Sequence, residues 1–134
     1  MCKGLGSLTQ RRLDHFNINF DTEEKIKTIR FEDYWLNQLQ SRNIDLAKID
    51  IEGHELSALR GFGEALKATK VLQFEFGGCN IDTRTFFQDF WYFFKENNFD
   101  IYRITPFGSE PILQYSELDE FFSTTNYIAV NRKR

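Results

Sequence analysis

The feature that most constrains this chain is one uninterrupted block, residues 44–76, that reads strand, helix, strand. Residues 44–51 (IDLAKIDI) alternate: Ala47, Ile49 and Ile51 share one side, and Leu46, Lys48 and Asp50 the other. That is the two-residue period of a strand. Residues 52–67 switch to a helical period, with Leu56, Leu59 and Leu66 on one stripe and Phe62 beside it. Glu52 and Glu55 fall in the first turn, against the positive end of the helix dipole. Gly61 and Gly63 weaken the later turns, so the helix is expected to end or bend there. Residues 71–76 (VLQFEF) read as a buried strand, stopped by Gly77 and Gly78. A short crossover of this kind places its two strands side by side and parallel. Ligands of an open α/β sheet bind beyond the carboxyl ends of such strands, and here both ends are acidic.

The flanks extend the alternation. Residues 1–24 are polar and read as an irregular lead-in; residues 25–134 read as a single α/β domain with a largely parallel sheet. Within that domain, residues 25–30 (KIKTIR) read as a short strand and residues 31–40 as a helix carrying Tyr34, Trp35 and Leu39. Residues 83–97 read as a second long helix. Residues 100–105 and 126–130 read as two further strands, joined by a loop with Pro106, Gly108 and Pro111 and a short helix near 116–122. A length of 134 residues suits one core and not two.

Aromatic residues make up 16% of the chain, and ten of them lie between Phe86 and Phe107. Rings all round a helix mean burial on several sides, so this segment is expected to be core, with a subunit interface as the alternative. The net charge of −3 comes with no basic stripe, which argues against nucleic acid as a partner. No stretch reaches the ~20 apolar residues of a membrane helix, so no membrane partner is expected. Cys2 and Cys79 are too few and too far apart for a zinc site or a redox pair. Two free thiols fit a reducing, cytoplasmic setting.

Chemistry is expected where the two strands end. Asp50 and Glu75 would share one crevice, and carboxylates that close raise each other's pKa, which suits one of them to act as a general base. Gly53 lets a ligand or backbone approach the helix start, whose amides could hold an oxyanion. Other readings compete. Glu52 and Glu55 are also ordinary first-turn acids, Lys48 can pair with a neighbouring carboxylate, and His54 can be a hydrogen-bonded surface histidine. Asp50, Glu75 and Asn80 could instead supply oxygen ligands to magnesium or calcium.

The run Leu46-Ala47-Lys48-Ile49-Asp50-Ile51-Glu52-Gly53-His54-Glu55, followed by Leu59 and Gly61, resembles the signature of FkbM-type S-adenosylmethionine-dependent methyltransferases. Residues 28–34 (TIRFEDY), residues 73–76 and the stretch from Asn80 to Asp89 are also similar to that family. The resemblance implies a Rossmann-like methyltransferase sheet and methyl transfer from S-adenosylmethionine to a hydroxyl of a sugar or small metabolite. On it, Asp50 lies near the transferred methyl and Glu75 across the acceptor pocket, as the catalytic pair. Glu52, His54 and Asn80 would bind the acceptor, and Glu32 and Asp33 would lie near the adenine or ribose of the cofactor. The complete fold opens with a strand, a glycine-rich turn, a helix and a second strand, a unit of ~30 residues or more. Only Gly4-Leu5-Gly6 hints at it here. The chain is therefore expected to be truncated at the N-terminal cofactor-binding half, either as a fragment of a longer gene product or as a chain that pairs with a completing chain or homo-oligomerises. A non-catalytic interaction or binding module that keeps half of the fold is the alternative function.

Overall fold

The structure, a computed structural model, describes residues 7–18 and 22–134. Cys2 and the Gly4-Leu5-Gly6 sequence lie outside the described residues. A helix, α1 (Phe31–Asn37), leads into strand β1 (Ile44–Ile49). Two short helices, α2 (Glu55–Arg60) and α3 (Ala65–Ala68), then carry the chain back to β2 (Thr69–Phe76). β1 and β2 are parallel, Ile44 opposite Thr69 and Ile49 opposite Phe74, as the crossover between them requires.

The expected helix over 52–67 starts only at Glu55, with Glu52 lying before it at φ +56° and not in its first turn, and is broken at the two glycines. Gly63 has φ +50°, and a Cβ there would overlap the Glu32 carboxylate. Glu32 accepts from the Glu64 amide at 2.8 Å and donates its own amide to the Gly61 carbonyl at 2.9 Å, so α1 locks the bend from outside. The expected strand over 25–30 does not form. Ile26 and Ile29 are three residues apart and cannot share one face of a strand; both remain exposed.

After β2 come α4 (Cys79–Thr83), α5 (Phe87–Glu96), β3 (Phe99–Thr105), β4 (Gly108–Ile112) and β5 (Thr125–Asn131). The sheet order is β1-β2-β5-β3-β4. The expectation of a largely parallel sheet is corrected: β1–β2 is its one parallel pairing among four. β5 inserts antiparallel between β2 and β3, and β4 folds back on β3 through a two-residue turn at Pro106 and Phe107. β4 reads as loop in the sequence because it is polar and contains Pro111, which a strand tolerates only at an edge. The expected helix near 116–122 shrinks to a 3-10 turn, Glu117–Asp119. Glu120, just past that turn, accepts from the Phe87 and Gln88 amides at 2.8 and 2.9 Å. It thereby caps α5 from thirty-three residues away.

One face of the sheet carries the core. Leu72, Phe74, Phe76, Tyr127, Ala129, Phe99 and Ile101 are all buried there, under the aromatic side of α5. Phe90 stacks on Phe74 with centroids 5.0 Å apart, and Phe87 and Phe94 pack on Tyr127 and Phe99. Four of the ten rings of the aromatic segment are therefore core, Trp91 and Phe93 pack against it half-buried, and Phe86, Tyr92 and Phe107 are exposed. Among the described residues the opposite face has no such cover: from Ile44, Leu46 and Lys48 across to Ile128, Val130 and Tyr102, the side chains are half-buried or exposed, Thr69 excepted. Leu46 is 59% exposed.

Candidate functional site

The register sets the site. Ile49 pairs with Phe74, so the next step along each strand brings Asp50 and Glu75 to adjacent strand ends, on the open face. Asp50 is exposed and takes a 2.9 Å ion pair from Lys48. Glu75 is half-buried. Burial raises its pKa first, and the negative charges of Asp50, Glu52 and Glu55 raise it further against the opposing Lys48. Its carboxylate has no hydrogen-bond partner among the described residues.

The loops beyond the strands brace each other. Gly53 has φ +97°, and a Cβ there would come 2.7 Å from the Cys79 carbonyl oxygen. Its role is thus backbone against backbone rather than ligand approach. Glu52 accepts from the Cys79 thiol at 2.8 Å. Burial and that carboxylate push the thiol's pKa up to about 12, so it stays protonated at neutral pH. Glu55 is 1% exposed and accepts from the Ile51 and Gly53 amides at 2.9 and 3.2 Å. Those two loop amides are therefore taken before α2 begins. Asn80, 2% exposed, accepts from the Gly77 amide at 2.9 Å.

The structure brings Asp50, Glu52, His54, Glu75 and Asn80 to one end of the sheet. It does not bring Glu32 and Asp33 there. Glu32 is bonded to the turn that feeds the N-terminal end of β2, a full strand length from Glu75, or roughly 20 Å at about 3.3 Å per residue. Both of its carboxylate oxygens are engaged, one by the Glu64 amide and the other by Arg30. Asp33 lines a separate open groove of about 640 Å³ with Thr28, Ile29, Arg30, Tyr34, Asn37 and Gln38. Glu32 is thus committed to bracing the Gly61–Glu64 turn. Among the described residues no three His, Cys, Asp or Glu side chains converge to hold a metal ion. Asn80 turns its carbonyl oxygen to Gly77, away from the metal-ligand role considered for it.

Three residues of this region are not signalled in the sequence: Thr9, Arg11 and Asp82. Thr9 bonds the His54 ring at 2.7 Å. Arg11 bonds Asp82 at 2.7 Å and faces Glu52 at 3.9 Å. Contacts spanning forty-five and seventy-one residues leave no local pattern to read.

Fold and site together define a mixed α/β protein with acidic side chains gathered at the ends of its two parallel strands. Residues 5–101, well over half of the chain, match the family model described as the methyltransferase FkbM domain. The chain belongs to the FkbM methyltransferase family. No curated protein and no solved structure matches it. No helix among the described residues is long and apolar enough to cross a membrane.

Proposed function

We propose that the crevice is the acceptor side of an O-methyl-transfer site in a Rossmann-like fold, with Glu75 as general base and Asp50 beside it. The observation that carries this reading is Glu75 itself. It is a half-buried carboxylate without a partner among the described residues, its pKa raised by burial and three neighbouring acids. A carboxylate in that state can take the proton of an acceptor hydroxyl near neutral pH. On this reading Asp50, paired with the exposed Lys48, orients the same hydroxyl, and Glu52 and His54 flank it in the loop that follows. The acceptor class on this reading is a sugar or small metabolite with a free hydroxyl. A cytoplasmic setting is supported by the free, protonated Cys79.

The donor that the family implies is S-adenosylmethionine, and its cradle belongs on this reading to a completing chain. The state of the sheet supports such a partner. β4 is blunted as an edge by Pro111, whereas the outer edge of β1 has no proline and presents the exposed Leu46. Ile44 and Val71 adjoin Leu46 on the open face. A non-catalytic interaction module is the second reading, favoured by that same uncovered face.

Two measurements separate the readings. Calorimetry with S-adenosylmethionine asks whether the chain binds the donor alone or only with a partner. Methyl transfer by the loaded assembly is then compared with Glu75→Gln. Loss of a general base is expected to slow transfer by roughly 10²–10⁴-fold. Transfer unaffected by Glu75→Gln would overturn the assignment, and an assembly that forms but transfers nothing would favour the interaction module.

A further inference from the structure

The lead-in reads as irregular in the sequence and largely is, yet it is docked. Residues 7–13 run over the two loops that follow β1 and β2, and every anchor falls at the crevice. Thr9 Oγ1 meets His54 Nε2 at 2.7 Å. Arg11 Nε donates to Asp82 Oδ2 at 2.7 Å, and its Nη1 lies 3.9 Å from Glu52 Oε2. Leu13 is buried as well. The Arg11 side chain is only 15% exposed, between partners of 24% and 31%, so this is a sheltered, charge-assisted contact rather than a solvated surface pair.

The charge balance explains why an arginine is needed. Asp50, Glu52, Glu55, Glu75 and Asp82 gather at this end of the sheet, and Lys48 is already paired with Asp50. Arg11 adds a cation between the β1 loop, through Glu52, and the β2 loop, through Asp82. Glu52 in turn holds the Cys79 thiol.

We infer that Arg11 is a positioning residue, seating residues 7–13 as a strap that closes the crevice over Glu52, His54 and Cys79 and forms one of its walls. The inference rests on reading the crevice as the acceptor site, but the strap can be measured without any methyl transfer. The acceptor then enters beside or beneath a segment that a charge pair holds down.

Cys79 is the reporter. The whole chain is treated with iodoacetamide, and alkylation is followed on the Cys79 peptide by mass spectrometry, with urea unfolding measured in parallel. Arg11→Gln and Asp82→Asn are each expected to speed Cys79 alkylation about tenfold or more, the shift in opening equilibrium that follows the loss of one charged hydrogen bond. Arg11→Lys restores the charge but not the two-sided reach, so it should recover part of the protection. High salt should speed the wild-type reaction and leave Arg11→Gln unchanged, a response that packing alone would not give. Wild-type rates in both neutral variants would overturn the inference. So would rate changes that merely track the loss of global stability. Should Cys79 open as expected while Glu75→Gln leaves methyl transfer intact, the strap stands and the acceptor-site reading falls.

Discussion

Replacing Gly53 by alanine tests the joint that holds the crevice together, and Gly108 supplies the control. Both glycines adopt positive φ, +97° and +131°, but a Cβ at Gly53 would strike the Cys79 backbone while one at Gly108 meets nothing within 4 Å. Placing an L-residue at positive φ costs about 1–2 kcal/mol. Alanine's stiffer unfolded chain offsets about 0.4–1 kcal/mol of that. Gly108→Ala is therefore expected to lose no more than about 1.5 kcal/mol. Gly53→Ala carries the same strain plus the cost of forcing groups into a packed contact, about 1–3 kcal/mol. The difference between the two variants isolates that contact. With a urea slope of about 1–3 kcal/mol per molar, it should separate their unfolding midpoints by on the order of 1 M. The same opening should expose the Cys79 thiol, read by its alkylation rate. Equal losses in the two variants would refute the backbone contact between the loops, and with it the account of how the crevice is braced.

Other perturbations address different parts of the molecule. Phe90→Ala removes a fully buried ring stacked on Phe74 and should cost about 3–5 kcal/mol by urea unfolding; a loss under about 1 kcal/mol would contradict the packing described. Glu55→Ala leaves the Ile51 and Gly53 amides without their acceptor and should cost about 1–3 kcal/mol in the same assay. The raised pKa of Glu75 means that the folded state holds this proton more tightly than the unfolded chain. Its contribution is therefore fully present below the unfolded value near 4.5 and lost as pH rises through the higher folded one. Glu75→Gln should accordingly raise the melting temperature at neutral pH, with the gain shrinking as pH falls towards 4.5; a gain independent of pH would contradict the shift.

Much of this was legible where the physics is local. The strand expected over 44–51 forms over 44–49, and the glycine stop after Phe76 and the helix break at Gly61 and Gly63 appear as expected. The short crossover between β1 and β2 implies their parallel pairing, which sets Asp50 beside Glu75. What escaped detection is held by distant partners. α5 begins at Phe87 because Glu120 caps it, and no capping residue at Phe86 announces that start. β5 lies between β2 and β3, an order that no local pattern specifies, so the sheet turned out mostly antiparallel. The strap around Arg11 looks like a charged lead-in until Asp82 and Glu52 are folded next to it.

The crevice divides its acids by what they bond. Glu55 is spent on two amides of its own loop, Glu52 on the Cys79 thiol and Arg11, and Asp82 on Arg11. None of these can leave its partner without loosening the joint between the β1 and β2 loops. Asp50 and Glu75 stand apart: one, just past the end of β1, has only an exposed lysine, and the other, within β2, has no partner among the described residues. A rigid strand with an uncommitted carboxylate is what a proton acceptor requires, since its position is fixed while its lone pairs stay free. The braced acids serve it as well. Their charges keep its proton affinity high, and their bonds keep those charges in place. Neutralising Glu52 should thus lower the pKa of Glu75 without touching it. A Glu52→Gln variant whose Glu75 titrates at the wild-type pH by carboxyl-resolved NMR would show that the acids at these strand ends do not act as one electrostatic unit.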